Sequence, residues 1–203
     1  MVYHVLNRAT EGRCIFERED DYRAFLHFLR LAGQRFPVRV CGYCVMKTHW
    51  HLIVWPSADG ALSAYAHWLT TCHSIHYRAR SNSQGRGHVY QERFKNFAIE
   101  TSRYYYNALK YVESNALRAH YVERAEDWPW SSAHERVHGG NLLTGAPLDL
   151  PSDWIELVNT TPPDEQLEEL RASAVSGRPY GSPAWTAYAS NALSLGRLGS
   201  RPR

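Results

Sequence analysis

Apolar residues recur along this chain with two periods, and the element changes where the period does. Residues 2–8 (Val2, Tyr3, His4, Val5, Leu6, Asn7, Arg8) have strand composition and run into a polar turn around Thr10, Glu11 and Gly12. Over 18–35, Tyr22, Phe25, Leu26, Phe28, Leu29 and Ala32 fall at helical spacing. Glu19, Asp20 and Asp21 sit at the end where the helix dipole favours acids, and Gly33 and Pro37 close the helix. Residues 38–46 read as a second strand. Lys47 and Thr48 leave room only for a tight connection to the strand that starts at His49, so the two should form a hairpin. Alternation carried through that connection puts Val45, Lys47, His49, His51 and Ile53 on one face and Met46, Trp50, Leu52 and Val54 on the other. Both faces are largely apolar, which predicts a central strand covered on each side.

A loop at 56–60 leads into a helix over 61–80 (Tyr65, Trp68, Leu69, His73, Ile75, His76, Tyr77), and 81–87 is a flexible loop. Residues 89–99 alternate as a further strand with Arg93 and Lys95 on its polar face. Thr101 or Ser102 then caps a helix whose apolar positions are Tyr104, Tyr105, Ala108, Leu109 and Val112. An aromatic turn, Trp128-Pro129-Trp130-Ser131-Ser132, opens a short helix. Gly, Pro, Asn and Thr dominate 139–163, which reads as a linker or ordered loop. Short helices follow near 164–174 and 183–195, the second with Ser182 as N-cap, Pro183 in its first turn and Gly196 as its stop; the tail is basic. The chain divides into a domain over 1–138 and a helical C-terminal extension over 139–203.

Composition narrows the class. A chain of 203 residues that is 44% apolar can bury one sizeable core. No window approaches the ~20 apolar residues of a membrane span and the first residues lack a signal-peptide pattern, so no membrane association and a cytoplasmic location are expected. Four cysteines in that setting imply reduced thiols. Cys41 and Cys44 have zinc-like spacing, but on a regular strand they face opposite ways. Net charge is only +3, yet 23 basic side chains accompany 13 tyrosines and seven tryptophans. Guanidinium groups with aromatics suit phosphate contacts and base stacking, although a mixed solvated surface gives the same totals.

Candidate chemistry begins with His49 and His51, which alternation turns to one side of a rigid strand as a two-pronged grip for a metal. At ~100° per residue, Tyr111 and Asn115 fall together at one edge of the later helix's apolar arc, about 40° apart. Tyr104, Tyr105 and Tyr106 are followed four residues on by Ala108, Leu109 and Lys110, so only Tyr111 has an oxygen ligand one turn away. Imidazole and amide ligands leave open positions on a divalent ion able to polarise a phosphate oxygen, which makes Tyr111 the nucleophile. A phosphotyrosine keeps the energy of the broken phosphodiester, so this logic favours strand transfer over hydrolysis. His73 and His76 share a helical face that fits either a metal or a surface near solvent or nucleic acid; no carboxylate accompanies them at ligand spacing.

His49-Trp50-His51, the strand Gln91-Glu92-Arg93-Phe94-Lys95, the run from Tyr111 through Asn115 to Arg118-Ala119, and Trp128-Pro129-Trp130-Ser131-Ser132 resemble the HUH single-tyrosine transposases, and within them the REP-associated tyrosine transposases. The resemblance covers roughly residues 2–138, and 177–182 resembles that family's C-terminal extension. It implies an α+β fold, a ferredoxin-like or RRM-like antiparallel sheet with helices on one face. It also implies a divalent metal, Mg²⁺ or Mn²⁺, and cleavage and rejoining of single-stranded DNA beside a hairpin through a 5′-phosphotyrosine. Carried over by position, His49 and His51 match the metal-binding pair, Tyr111 the nucleophile and Asn115 the further ligand. The family has Pro-Asn where this chain has Lys47-Thr48, and a proline where it has Ala116; losing that proline weakens the signal for a helix stop just after Asn115. Arg8, Arg13, Arg93, Lys95 and Arg118 are candidate DNA contacts, with Arg201 and Arg203 weaker ones. Relatives act as monomers or as homodimers. Two other readings use the same residues: a non-catalytic hairpin-binding module, and a structural zinc protein built on Cys41, Cys44, His49 and His51.

Overall fold

The computed structural model describes residues 1–81 and 87–199, with side chains up to residue 194. Four strands, β1 (Val2–Arg8), β2 (Val38–Val45), β3 (His49–Pro56) and β4 (Lys95–Ile99), form one antiparallel sheet in the order β2-β3-β1-β4. Helix α1 (Glu19–Arg35) links β1 to β2, and α2 (Ala61–Arg80) links β3 to β4. Each crossover skips one strand position, so the two units interlock, and the common handedness of crossovers places α1 and α2 side by side on one face. This is the ferredoxin-like α+β architecture that the family resemblance implies.

Helices cover both faces of the sheet, however, not one. Against α1 and α2 lie Val5, Tyr43, Val45, Trp50, Leu52 and Val54. On the opposite face Val2, Cys44, Met46, Ile53, Phe97 and Ile99 pack under α3 (Arg103–Glu113), and α4 (Asn115–Arg118) continues from it. Ser102 caps α3, accepting from the Tyr104 N–H at 3.5 Å. Helices α5 (Ser132–His138), α6 (Trp154–Asn159) and α7 (Asp164–Ser176) close this second layer, and α8 (Pro183–Gly199) completes the chain. None of the helices is long and apolar enough, among the described residues, to cross a membrane.

Several boundaries differ from the sequence reading for identifiable reasons. Alternation does not run through the hairpin: the turn resets it, so Val45 packs with Trp50 and Met46 with Ile53. A bulge at Cys41, where the partner register jumps from Val40 to Gly42, brings Cys41 onto the same side as Cys44. The premise that these two face opposite ways is therefore wrong. Burial under α3 pushes each thiol up to about 12, so both pack as neutral thiols, and all four cysteines are free. The strand expected over 89–99 pairs regularly only from Lys95. Tyr90 bridges Ala9 and Lys95 pairs with Leu6, which sets Gln91 to Phe94 against only Asn7 and Arg8, and the longer segment bows out of the sheet. Within 139–163 a helix forms around buried Trp154, too short for periodicity to reveal, and α8 runs past Gly196.

Candidate active site

The hairpin turn sets the geometry of His49 and His51. The Lys47 carbonyl accepts from the Ile15 and Phe16 N–H groups (2.9 and 3.1 Å) and the Thr48 carbonyl from Ala9 (2.8 Å), so the start of β3 is clamped by the segment after β1. Both imidazoles then project on the α3 side, with ring centroids 5.0 Å apart and planes at 88°. In each ring Nδ1 is already engaged: His49 Nδ1 lies 3.0 Å from the Thr48 hydroxyl and His51 Nδ1 2.8 Å from His4 Nε2. That leaves Nε2 of both rings available to the cleft they line.

Electrostatics keeps these rings neutral. Burial first, then the charges of Arg8 and Arg118, pushes His49 down to about 4. His51 is pushed well below its ordinary value by burial, then by His4, His49, Arg118 and Arg8. Burial alone pushes His4 down to about 3. Neutral imidazoles carry the lone pairs a metal needs without prior deprotonation.

Helix α3 delivers Tyr111 to the same place. The half-buried Tyr111 ring meets His51 at 90° with centroids 5.9 Å apart, and His4 at 66° and 6.0 Å. Ser114 breaks the helix, and α4 starts directly at Asn115; the stop falls just before Asn115 and needs no proline. Asn115 is buried and lines the cleft, with its amide nitrogen lacking any hydrogen-bond partner. Arg118, half-buried, reaches back with its guanidinium carbon 4.1 Å from the Tyr111 ring centroid, while Nη2 donates to the Tyr111 carbonyl at 3.0 Å and Nε to Ser114 Oγ at 3.3 Å.

The cleft measures about 450 Å³. His49, His51, Tyr111 and Asn115 line it, with Arg8, Arg93 and Lys95 exposed at its walls and Arg118 over the tyrosine. Thus eight of the nine sequence-derived candidates converge. Arg13 is the exception, exposed beyond the turn Thr10–Gly12 and outside the cleft lining. Arg201 and Arg203 lie outside the described residues. His73 is a core residue: the Tyr90 hydroxyl, which accepts from Trp50 Nε1 at 2.9 Å, sits 2.7 Å from His73 Nδ1.

Sequence reasoning missed several lining or orienting residues. His4 was findable, since β1 alternation and a β1–β3 pairing place it diagonally across from His51. Thr48 is adjacent in sequence to His49. Gln91 and Glu92 lie in the bowed segment with Asn7 opposite it on β1, and Arg171, Ala174 and Val175 come from α7, whose docking nothing in the local pattern announces.

Comparison with known proteins fits this arrangement. The model of the family described as transposase IS200 like matches residues 1–115, which carry β1 through α3 and Asn115. A curated relative, the REP-associated tyrosine transposase of Escherichia coli (strain K12), is 23% identical over 133 residues, 66% of this chain and 72% of its own length. The solved structure of a REP-associated tyrosine transposase bound to a REP hairpin shares the fold with a TM-score of 0.55 at 17% identity, covering 74% of this chain and 88% of that one. The chain belongs to the IS200-like transposase family.

Proposed function

We propose that this transposase is a metal-dependent enzyme that cleaves and rejoins single-stranded DNA beside hairpins, with Tyr111 as nucleophile and a 5′-phosphotyrosine as intermediate. The observation that carries the reading is the contact of Tyr111 with His51 in a cleft walled by Arg8, Arg93 and Lys95. Tyr111 meets histidines of its own chain, which supports action within one subunit. The curated relative is named for REP elements, and the solved one is bound to a REP hairpin, which supports a DNA hairpin with a single-stranded flank as the substrate.

Two imidazole nitrogens and an amide oxygen suit a borderline divalent cation, Mn²⁺ more readily than the harder Mg²⁺. His49 and His51 each offer Nε2 from a neutral ring whose other nitrogen is held, and the buried Asn115 at the cleft brings an amide whose oxygen would be the ligating atom. When bound, the ion supplies Lewis-acid polarisation of a phosphate oxygen.

The remaining work falls to the chain itself. The Tyr111 oxygen attacks phosphorus, the bond from phosphorus to the 3′-oxygen breaks, the leaving 3′-oxygen takes a proton and the phenol loses its own. Arg118, above the ring, favours negative charge developing on Tyr111. Arg8, Arg93 and Lys95 hold flanking phosphates in register. Rejoining reverses the step: a free 3′-hydroxyl attacks the phosphotyrosine and releases Tyr111.

The test incubates a labelled hairpin oligonucleotide carrying a single-stranded flank with the protein and Mg²⁺ or Mn²⁺. Wild type should give a covalent protein–DNA band on a denaturing gel and Tyr111→Phe none. An equal yield from Tyr111→Phe removes Tyr111 as nucleophile. Tight hairpin binding without an adduct under either metal leaves the non-catalytic hairpin-binding reading in its place.

A further inference from the structure

One buried titratable group beside the cleft has no part in the steps above. His4 is 1% exposed, comes from a different strand than the histidine pair, and places Nε2 2.8 Å from His51 Nδ1. It is not a cleft-lining residue, and it touches the cleft through His51 and the Tyr111 ring.

A neutral imidazole carries one proton, and the nitrogen that holds it decides which lone pair is free. Two arrangements satisfy the 2.8 Å contact: His51 Nδ1–H donates to His4, leaving His51 Nε2 bare, or His4 Nε2–H donates to His51, which puts the His51 proton on Nε2. Fixed charge favours the first. Arg8 and Arg118 stand on the cleft side of His51, and fixed positive charge favours a lone pair over an N–H there. The first arrangement leaves His4 with its proton on Nδ1, which has no conventional partner. The His4 ring meets Phe97 at 71° and Tyr111 at 66°, with centroids 5.0 and 6.0 Å away, so that proton lies among aromatic rings.

We infer that His4 is a positioning residue that accepts the Nδ1 proton of His51, fixing that ring with Nε2 bare toward the cleft. The consequence for metal binding rests on the metal-dependent reading above; the hydrogen bond itself does not. Partners of this kind typically change metal affinity by about 10–100-fold when removed. For His49, the Thr48 hydroxyl lies 3.0 Å from Nδ1.

Two variants separate positioning from packing. His4→Phe keeps an aromatic ring but accepts no proton, whereas His4→Gln offers an amide oxygen at a similar reach. Imidazole ¹⁵N NMR of the metal-free protein should show His51 protonated at Nδ1 in wild type and in His4→Gln, and a mixture of tautomers in His4→Phe. Mn²⁺ affinity by calorimetry should fall about ten-fold or more in His4→Phe and be largely kept in His4→Gln. A wild-type His51 proton on Nε2, an unchanged His51 pattern in His4→Phe, or equal loss in both variants overturns the inference. If wild type takes no Mn²⁺, the metal-dependent reading fails while the tautomer pattern still decides the role of His4.

Discussion

A guanidinium laid on a phenol does two things at once: it fixes the ring against rotation and it lowers the cost of negative charge on the oxygen. Arg118 lies over the Tyr111 ring in this way, and its bonds to the Tyr111 carbonyl and Ser114 tie it across the break between α3 and α4. Removing it should cost about 1–2 kcal/mol at the transition state, so Arg118→Ala is expected to slow single-turnover adduct formation about ten-fold with hairpin affinity less affected. An equal fall in both would mark Arg118 as a DNA contact alone. The core has its own sensitive histidine. Trp50 donates to Tyr90, whose hydroxyl in turn faces His73 Nδ1, and burial pushes His73 down to about 3. A depressed folded-state value means that between about pH 6.5 and 3 the unfolded chain binds a proton the folded chain refuses. Stability from His73 is thus complete above pH 6.5 and lost as pH falls, by about 1.4 kcal/mol per unit. Urea midpoints measured down this range should fall less steeply for His73→Gln than for wild type.

Among the elements, α3 has to approach the sheet closely and end at a fixed height, because Tyr111 and Asn115 lie on either side of its end. Gly42 permits the approach: a Cβ there would collide with the buried Leu109 side chain, so the bulged strand and the helix fit only without one. Glu113 fixes the end. Fully buried, it accepts from Trp154 Nε1 (2.6 Å), Arg136 Nε (2.8 Å) and Ser132 Oγ (2.5 Å), so α5 and α6 both hold the last residue of α3. Glu113→Ala would strand Arg136, itself bonded to the Cys41 carbonyl at 2.7 Å, and should lower unfolding free energy by about 3–5 kcal/mol in denaturant titration. A loss under 1 kcal/mol would show that the network does not hold α3. This anchoring was invisible in the sequence. The period placed Tyr111 and Asn115 together at one helix edge, but Glu113 reads simply as one more polar position until residues from 132 to 154 are brought around it.

At the scale of the whole molecule, the C-terminal half completes what the ferredoxin-like sheet leaves open. Beside β2, the Val45 N–H donates to the Trp130 carbonyl (2.9 Å) and the Thr144 N–H to the Val40 carbonyl (3.0 Å); beside β4, the Tyr180 N–H donates to Ala98 (2.8 Å) and the Glu100 N–H to Tyr180 (2.9 Å). Both edge strands are thereby partly covered by later segments, which blunts the templates for strand addition. The strands, both crossover helices, the His49–His51 pair and the Tyr111–Asn115 pair were legible because they follow from period and alternation; that the two pairs meet followed only from the family resemblance. The second helical layer was foreshadowed only by the two apolar faces of β3. The bowed segment at 91–94, the bulge at Cys41 and the α7 wall with Arg171 were not, since each depends on a pairing between distant residues. The central claim is that one tyrosine of this assembly becomes covalently joined to DNA. Its most direct test is peptide mapping by mass spectrometry after reaction with a hairpin oligonucleotide and Mg²⁺ or Mn²⁺, followed by nuclease trimming. A nucleotide mass on Tyr111 is the expected result; modification of Tyr104, Tyr105 or Tyr106 instead, or of no tyrosine while DNA is cut, would contradict it.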